Sequence, residues 1–167
     1  MLTVPEKREH GLGLQIVPAE STAHLDLVRE LLLEYWENRN LSLYVFNFDQ
    51  ELAGLPGDYA PPDGGLFLAY YNGEVSGCVA LRKLEPDICE MKRLYLRPTF
   101  RGKGIGKFLA QFIIAEAKKM GYKRMRLDTI QSNMQEAIAL YRQLGFNEIA
   151  AYRVNPIPGV IFMELVL

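Results

Sequence analysis

A chain of 167 residues that is 49% hydrophobic and 11% aromatic can bury a full core as one compact domain, without disulfides or a structural metal. Its charged fraction of 23% and formal net charge of −1 exclude the basic excess typical of a general nucleic-acid binder. No run approaches the ~20 apolar residues of a membrane span.

Residues 1–13 are polar with scattered Gly and Pro and are expected to form a flexible N-terminal segment. Met1 to His10 lack the apolar centre of a signal peptide. A first strand is predicted over Leu14-Gln15-Ile16-Val17, stopped by Pro18. Ser21 then suits an N-cap, with Leu25, Val28, Leu32 and Tyr35 on one helical face. A second, weaker helix is expected from Phe48 to Leu55. Gly54 to Gly65, holding three prolines and four glycines, reads as a loop.

The period then changes to strands. Leu66 to Tyr71 runs through Asn72-Gly73, a strong hairpin signal, into Glu74 to Leu81. A third strand is predicted from Ile88 to Leu96. The clearest helix follows, with Ile105, Phe108, Leu109, Phe112, Ile113, Ala117 and Met120 on one face. Gly121 suits its C′ position and Lys118 and Lys119 its C-terminal turn. A strand over Met125 to Thr129, a helix from Met134 to Leu144 closed by Gly145, and strands over Phe146 to Tyr152 and Val160 to Val166 complete the chain. An antiparallel meander feeding strand–helix units implies an α/β (α+β mixed) domain over residues 14–167, with helices on both faces of a mixed sheet. Cys78 and Cys89 lie in apolar strands without neighbouring histidines. Buried free thiols in a reducing compartment, and hence a cytoplasmic protein, are the expectation.

The segment Lys92 to Lys107 carries six cations and no acid. Arg101, Lys103 and Lys107 stand at a helix start, where the macrodipole disfavours positive charge by ~0.3–1 kcal/mol each. Gly102, Gly104 and Gly106 weaken the same helix start, each by up to about 1 kcal/mol relative to Ala. A bound anion accounts for both features. Glycines let the backbone approach, free N–H groups bind oxygens, and the cations neutralise charge. A solvated basic turn is the alternative. The Walker A pattern fails, because Phe108 follows Lys107 and Arg101 occupies the first glycine position. The dinucleotide pattern fails because the glycines read G-x-G-x-G.

The segment resembles the pyrophosphate loop of the GNAT superfamily of acetyl-CoA-dependent N-acetyltransferases, on Arg101, Gly104 and Gly106. The preceding strand Glu90 to Leu96 and the later Asn133, Ala137, Tyr141 and Gly145-Phe146 stand in the family's order and spacing. The likeness covers Leu66 to Leu167 well and the earlier part by element order alone. It implies a central, mostly antiparallel sheet of about six or seven strands, about four helices and a splayed, V-shaped cofactor cleft. It further implies direct acetyl transfer from acetyl-CoA to a primary amine, with no metal.

By the same resemblance, the backbone of Leu94, Tyr95 and Leu96 pairs with the pantetheine arm. Arg101, Gly102, Lys103, Gly104, Ile105, Gly106 and Lys107 hold the diphosphate, and the amide of Leu94 faces the oxyanion. Asn133 lies beside the cofactor, although with Glu136 it also makes a helix cap. Tyr141 is the expected acid for the leaving thiolate, against a reading as a core tyrosine. Glu90 is the leading general-base candidate, against an ion pair with Lys92; Asp128 or a water chain are the other options.

The acceptor side is expected from Glu37 to Tyr59, including Tyr44, Phe46 and Phe48, and from Asn155 to Gly159. The acceptor amine belongs to a small molecule or a peptide, and a monomer or homodimer is expected, with no nucleic-acid or membrane partner. A non-catalytic acyl-CoA sensor of the same fold, or a nucleotide-binding module, are the competing functions.

Overall fold

In the computed structural model of the protein, the described residues are 8–10, 13–38, 48–131 and 135–167. They form one mixed sheet of eight strands with helices on both faces. The strands are β1 (Arg8–His10), β2 (Leu14–Pro18), β3 (Gly65–Tyr71), β4 (Glu74–Glu85), β5 (Ile88–Leu96), β6 (Arg124–Ile130), β7 (Asn147–Ile149) and β8 (Val160–Val166). Their order across the sheet is β1-β2-β3-β4-β5-β6-β8-β7. Every pairing is antiparallel except β5 with β6. The helices are α1 (Thr22–Glu37), α2 (Phe48–Ala53), α3 (Ile105–Lys119) and α4 (Gln135–Gln143).

Local chemistry sets most boundaries as expected. Ser21 caps α1, its side chain accepting from the amide of His24 at 3.1 Å. Asn72 and Gly73 both take left-handed backbone, φ 50° and 84°, so a two-residue turn joins β3 to β4. At the ends of α3 and α4 the same device recurs. Tyr122 N–H bonds Ala117 O around Gly121, and Phe146 N–H bonds Tyr141 O around Gly145.

The sheet's two-residue period divides the core. Phe67, Ala69, Val79, Leu81 and Met91 face α3 and α4, with Leu109, Ile113, Tyr141 and Phe146. Leu66, Leu68, Cys78, Ala80 and Tyr95 face α1 and α2, with Val28, Leu32 and Phe48. Burying these alternating faces, at ~25 cal/mol per Å² of apolar surface, is what holds both helix layers on the sheet.

Arg8–His10 pairs with Leu14–Ile16 as a short edge strand, which makes the mostly antiparallel sheet eight strands wide among the described residues. One expectation changes. The strand expected from Phe146 to Tyr152 ends at Ile149. Tyr152 and Arg153 turn off the edge to reach carboxylates at the centre of the sheet, and those bonds outweigh further ladder pairing. Tyr44, Phe46, Asn133 and Met134 lie outside the described residues.

Candidate active site

The centre of the sheet is split. β5 pairs with β6 only from Ile88 to Glu90, against Arg124 to Arg126. Beyond that point Met91 to Leu96 run free of β6, which continues along β8 as far as Ile130. On its other side β5 carries a bulge. Cys78 faces Tyr95 and Ala80 faces Lys92, so Val79 alone opposes Arg93 and Leu94. Arg93 sits in the left-handed region, φ 56°, which costs a non-glycine residue on the order of 1 kcal/mol.

The surroundings fix that strained residue. Its guanidinium donates through Nε and Nη2 to both oxygens of Glu51, each at 3.0 Å, and lies 5.3 Å from the centre of the Trp36 ring. Tyr59 Oη donates to the same carboxylate at 2.6 Å. Gly77 on β4 lets β5 pass close, since a Cβ there would collide with the Tyr95 carbonyl oxygen.

A cleft of about 380 Å³ opens on the α3–α4 side of the split. Its walls are Leu94, Tyr95 and Leu96 of β5, the turn Arg101 to Lys107 without Lys103, and Glu136, Ala137, Leu140 and Tyr141 of α4. Gly102 and Gly104 both take φ 79°, and a Cβ on either would meet nothing within 4 Å. Gly104 is the N-cap of α3 and supplies no side-chain cap. The first-turn amides of Ile105, Gly106 and Lys107 therefore have no intrahelical acceptor and face a roomy, cation-flanked hollow. Arg101 is tethered by Nε to Leu96 O at 3.2 Å, while Lys103 turns aside to the Tyr71 ring, 5.8 Å from its centre. A phosphate-bearing ligand fits this cradle.

Tyr141, nearly buried, packs edge-on against Phe146 at 5.7 Å between ring centres. It also lines a small recess of about 50 Å³ together with Leu94, Lys92, Arg93 and Asp128. That recess adjoins a larger pocket of about 540 Å³ on the α1–α2 side, which shares Lys92 and Arg93 with it. Trp36, Phe48, Glu51, Tyr59, Arg82 and Arg153 are among the residues lining the larger pocket. Residues of β5 at the split thus line cavities on both faces of the sheet.

Glu90, the last β5 residue paired with β6, is fully buried. Arg82 holds Oε1 through Nε and Nη2, both at 2.8 Å. Arg153 Nη1 lies 2.6 Å from Oε2, and Tyr152 Oη donates to Oε2 at 2.5 Å. Lys92 Nζ stands 3.9 Å from Glu90 and 3.9 Å from Asp128. Asp128 Oδ2 accepts from Arg153 at 2.7 Å and from Asn155 at 3.2 Å. Burial would raise the Asp128 carboxyl, but Lys92, Arg153 and these bonds outweigh it and hold it below the usual range. Burial lowers Lys92 to about 8 despite its two carboxylate neighbours.

Comparison with known proteins identifies the family. Residues 25–146 match the Acetyltransferase (GNAT) family. The chain belongs to that family. It is 40% identical over 143 residues to an uncharacterized N-acetyltransferase of Schizosaccharomyces pombe, spanning 84% of this chain and 87% of the relative. It is 40% identical over 126 residues to the uncharacterized N-acetyltransferase YjgM of Escherichia coli, spanning 74% of each. A GNAT family acetyltransferase from Elizabethkingia anophelis, solved with acetyl-CoA bound, has the same fold. Its TM-score is 0.67 at 24% identity, over 93% of this chain and 99% of that one.

In this GNAT domain the residues expected at the cofactor cleft come together, except Lys103, which turns away, and Asn133, which lies outside the described residues. Glu90, expected to serve as the base, lines none of the three clefts and has both oxygens engaged. Sequence reading missed Arg82, Arg93, Arg153, Tyr152 and Glu51. Only Arg82 left a local signal, because it stands directly opposite Glu90 across the β4–β5 hairpin.

Proposed function

We propose that the protein transfers an acetyl group from acetyl-CoA directly to a primary amine of a small molecule or peptide. The observation that carries this reading is the arrangement of three spaces. The cleft at the uncapped helix start of Gly104 shares Leu94 and Tyr141 with the small recess, and the recess shares Lys92 and Arg93 with the larger pocket, so the three lie in series along β5. Acetyl-CoA bound to the Elizabethkingia relative supports the choice of donor.

In this reading the amides of Ile105 to Lys107, with Arg101 and Lys107, hold the diphosphate. The backbone of Leu94 to Leu96, unpaired toward β6, receives the pantetheine arm as an added strand. Acetyl-CoA supplies the acyl thioester. The Leu94 amide, set out of the ladder by the bulge, donates to the carbonyl oxygen as charge develops there. Tyr141 gives its proton to the departing thiolate and recovers one from the nitrogen that has been acylated. We assign the first proton of the incoming ammonium to Asp128 by way of water, in place of Glu90. Asp128 lines the recess, and its Oδ1 has only the distant Lys92 as a partner among the described residues. Glu90 instead fixes Arg82 and Arg153. The buried thiols Cys78 and Cys89 suit a reducing compartment such as the cytoplasm.

Following free-thiol release from acetyl-CoA with a panel of amines tests the reading. Amine-dependent release is the expected result. Tight acetyl-CoA binding without turnover of any amine would replace it with a non-catalytic acyl-CoA sensor.

A further inference from the structure

The pocket on the α1–α2 side is where an acceptor enters, and its chemistry is uneven. Arg82, Lys92, Arg93 and Arg153 line it, against the carboxylates Glu51 and Asp58. Glu51 is already engaged by Arg93 and Tyr59, and the Asp58 side chain is 84% exposed to water, which screens it. Arg82 and Arg153 are likewise taken up by Glu90 and Asp128, which leaves Lys92 and one nitrogen of Arg93 as the cationic donors open to an acceptor. An acceptor that carries an anion as well as an amine can satisfy those donors.

Both Lys92 and Arg93 keep donors that the fold leaves unused. Lys92 is mostly buried, yet its ammonium comes no closer than 3.9 Å to Glu90 or Asp128, outside hydrogen-bond distance. A buried ammonium without close partners is costly, and a third anion would relieve it. Arg93 commits Nε and Nη2 to Glu51, and its Nη1 has no partner among the described residues. The left-handed backbone at Arg93 carries strain that the Glu51 pair and the Trp36 ring maintain, which fixes the guanidinium rigidly at the pocket wall. Anchoring the loop before β8 explains Arg153, Glu90 and Asp128, but it asks nothing of Lys92 or Arg93.

Resting on the acetyl-transfer reading, we propose that the acceptor is a carboxylate-bearing amine, an α-amino acid, whose carboxylate is bound by Lys92 Nζ and Arg93 Nη1. The placement favours the α position, because Lys92 and Arg93 line both the outer pocket and the recess that also holds Leu94 and Tyr141, so a carboxylate bound to them sits beside the recess.

The test pairs L-glutamate and L-phenylalanine with their α-amides and methyl esters, measuring thiol release from acetyl-CoA. Free acids should exceed both derivatives in kcat/KM by on the order of 30-fold or more, the scale of losing a buried charge partner. Lys92→Met and Arg93→Gln should each raise KM for the acids by a similar factor, leave the affinity for CoA unchanged, and narrow the gap between acid and amide. Equal or better use of the uncharged derivatives would overturn the proposal.

A second readout does not depend on turnover. Calorimetry of the CoA complex should show N-acetyl-L-phenylalanine binding more tightly than N-acetyl-L-phenylalaninamide, a preference that Lys92→Met abolishes. Equal binding of the two would overturn the proposal even if amines are acetylated. A carboxylate preference without turnover of any acceptor would uphold the anion site and refute acetyl transfer.

Discussion

Arg153 bridges Glu90 and Asp128, with Nη1 2.6 Å from a Glu90 oxygen and Nη2 2.7 Å from an Asp128 oxygen. Glu90 is the last β5 residue paired with β6, and Asp128 lies on β6 just past the point of divergence. One guanidinium from the loop before β8 therefore spans the mouth of the split and ties its two sides together.

Glu90→Gln leaves Arg82 and Arg153 in a partly buried site without their shared carboxylate. Breaking such a pair costs about 3 kcal/mol. For a chain of this size that is a fall in Tm of about 9 °C. Thermal unfolding followed by circular dichroism checks it. A variant that loses activity with an unchanged Tm would instead mark Glu90 as the base.

Lys92 should give the pH profile of amino-acid acetylation an alkaline limb. It faces Glu90, Asp128, Arg93 and Arg153, and burial lowers it to about 8. Below that pH it is charged in folded and unfolded chains alike, and the full cost of burying the ammonium is present. Between about 8 and the ordinary lysine value the unfolded chain alone binds the proton, so this contribution to stability improves with rising pH. The effect on the acceptor has the opposite sign. Loss of the Lys92 charge weakens carboxylate binding, so kcat/KM for an amino acid should fall above pH 8. Lys92→Met should remove that limb, lower kcat/KM at pH 7 and raise Tm there. A profile of unchanged shape in Lys92→Met would show that another group titrates.

Gly77→Ala tests the close approach of β4 to β5. The new methyl would strike the Tyr95 carbonyl and push β5 outward just past its bulge. Overpacking of this kind costs about 1–3 kcal/mol. Because the displaced strand carries Leu94 and Leu96, CoA affinity should fall along with Tm. Isothermal titration beside a thermal melt separates the two effects. Full CoA affinity in the variant would show that the strand absorbs the methyl without moving.

Much of this architecture is legible in the chain itself. Ser21, Asn72-Gly73, Gly121 and Gly145 each specify a local conformation, and the alternation of β3 to β5 assigns side chains to the two cores. The anion cradle is legible for the same reason, since glycines and cations at a helix start break local rules. The ionic network is not. It depends on the parallel register of β5 with β6 and on Tyr152 and Arg153 leaving a sheet edge that their own sequence favours. Glu90 alternates like a surface residue, and only contacts from a segment 62 residues later make it a buried anchor. Arg93 is hidden by the bulge, because a regular strand would turn its side chain to the other face.

Gly104→Glu addresses the anion cradle. The position is exposed, and a Cβ there meets nothing within 4 Å, so the fold should persist. Its φ of 79° costs a non-glycine residue about 1 kcal/mol, a small loss for a domain of this size. A carboxylate at the N-cap occupies the ground the diphosphate needs and places like charge against it. CoA binding should be abolished, with Tm within a few degrees of the parent. Unchanged CoA affinity would sink the cradle.

Tyr141→Phe separates acid catalysis from packing. The ring lies against Phe146 and is 5% exposed, so phenylalanine preserves the shape of the core and of both clefts it lines. What disappears is the proton for the leaving thiolate, and positioned general acids contribute typically 10²–10⁴-fold. With an accepted amine, kcat should fall by about 10²-fold while CoA affinity and acceptor KM change little. A good leaving group bypasses the need for an acid, so a thioester of lower thiol pKa should recover much of the lost rate in the variant. That rescue would not occur if the tyrosine served only to fill space. Equal losses with both thioesters would return Tyr141 to the core and leave the thiolate to depart unprotonated.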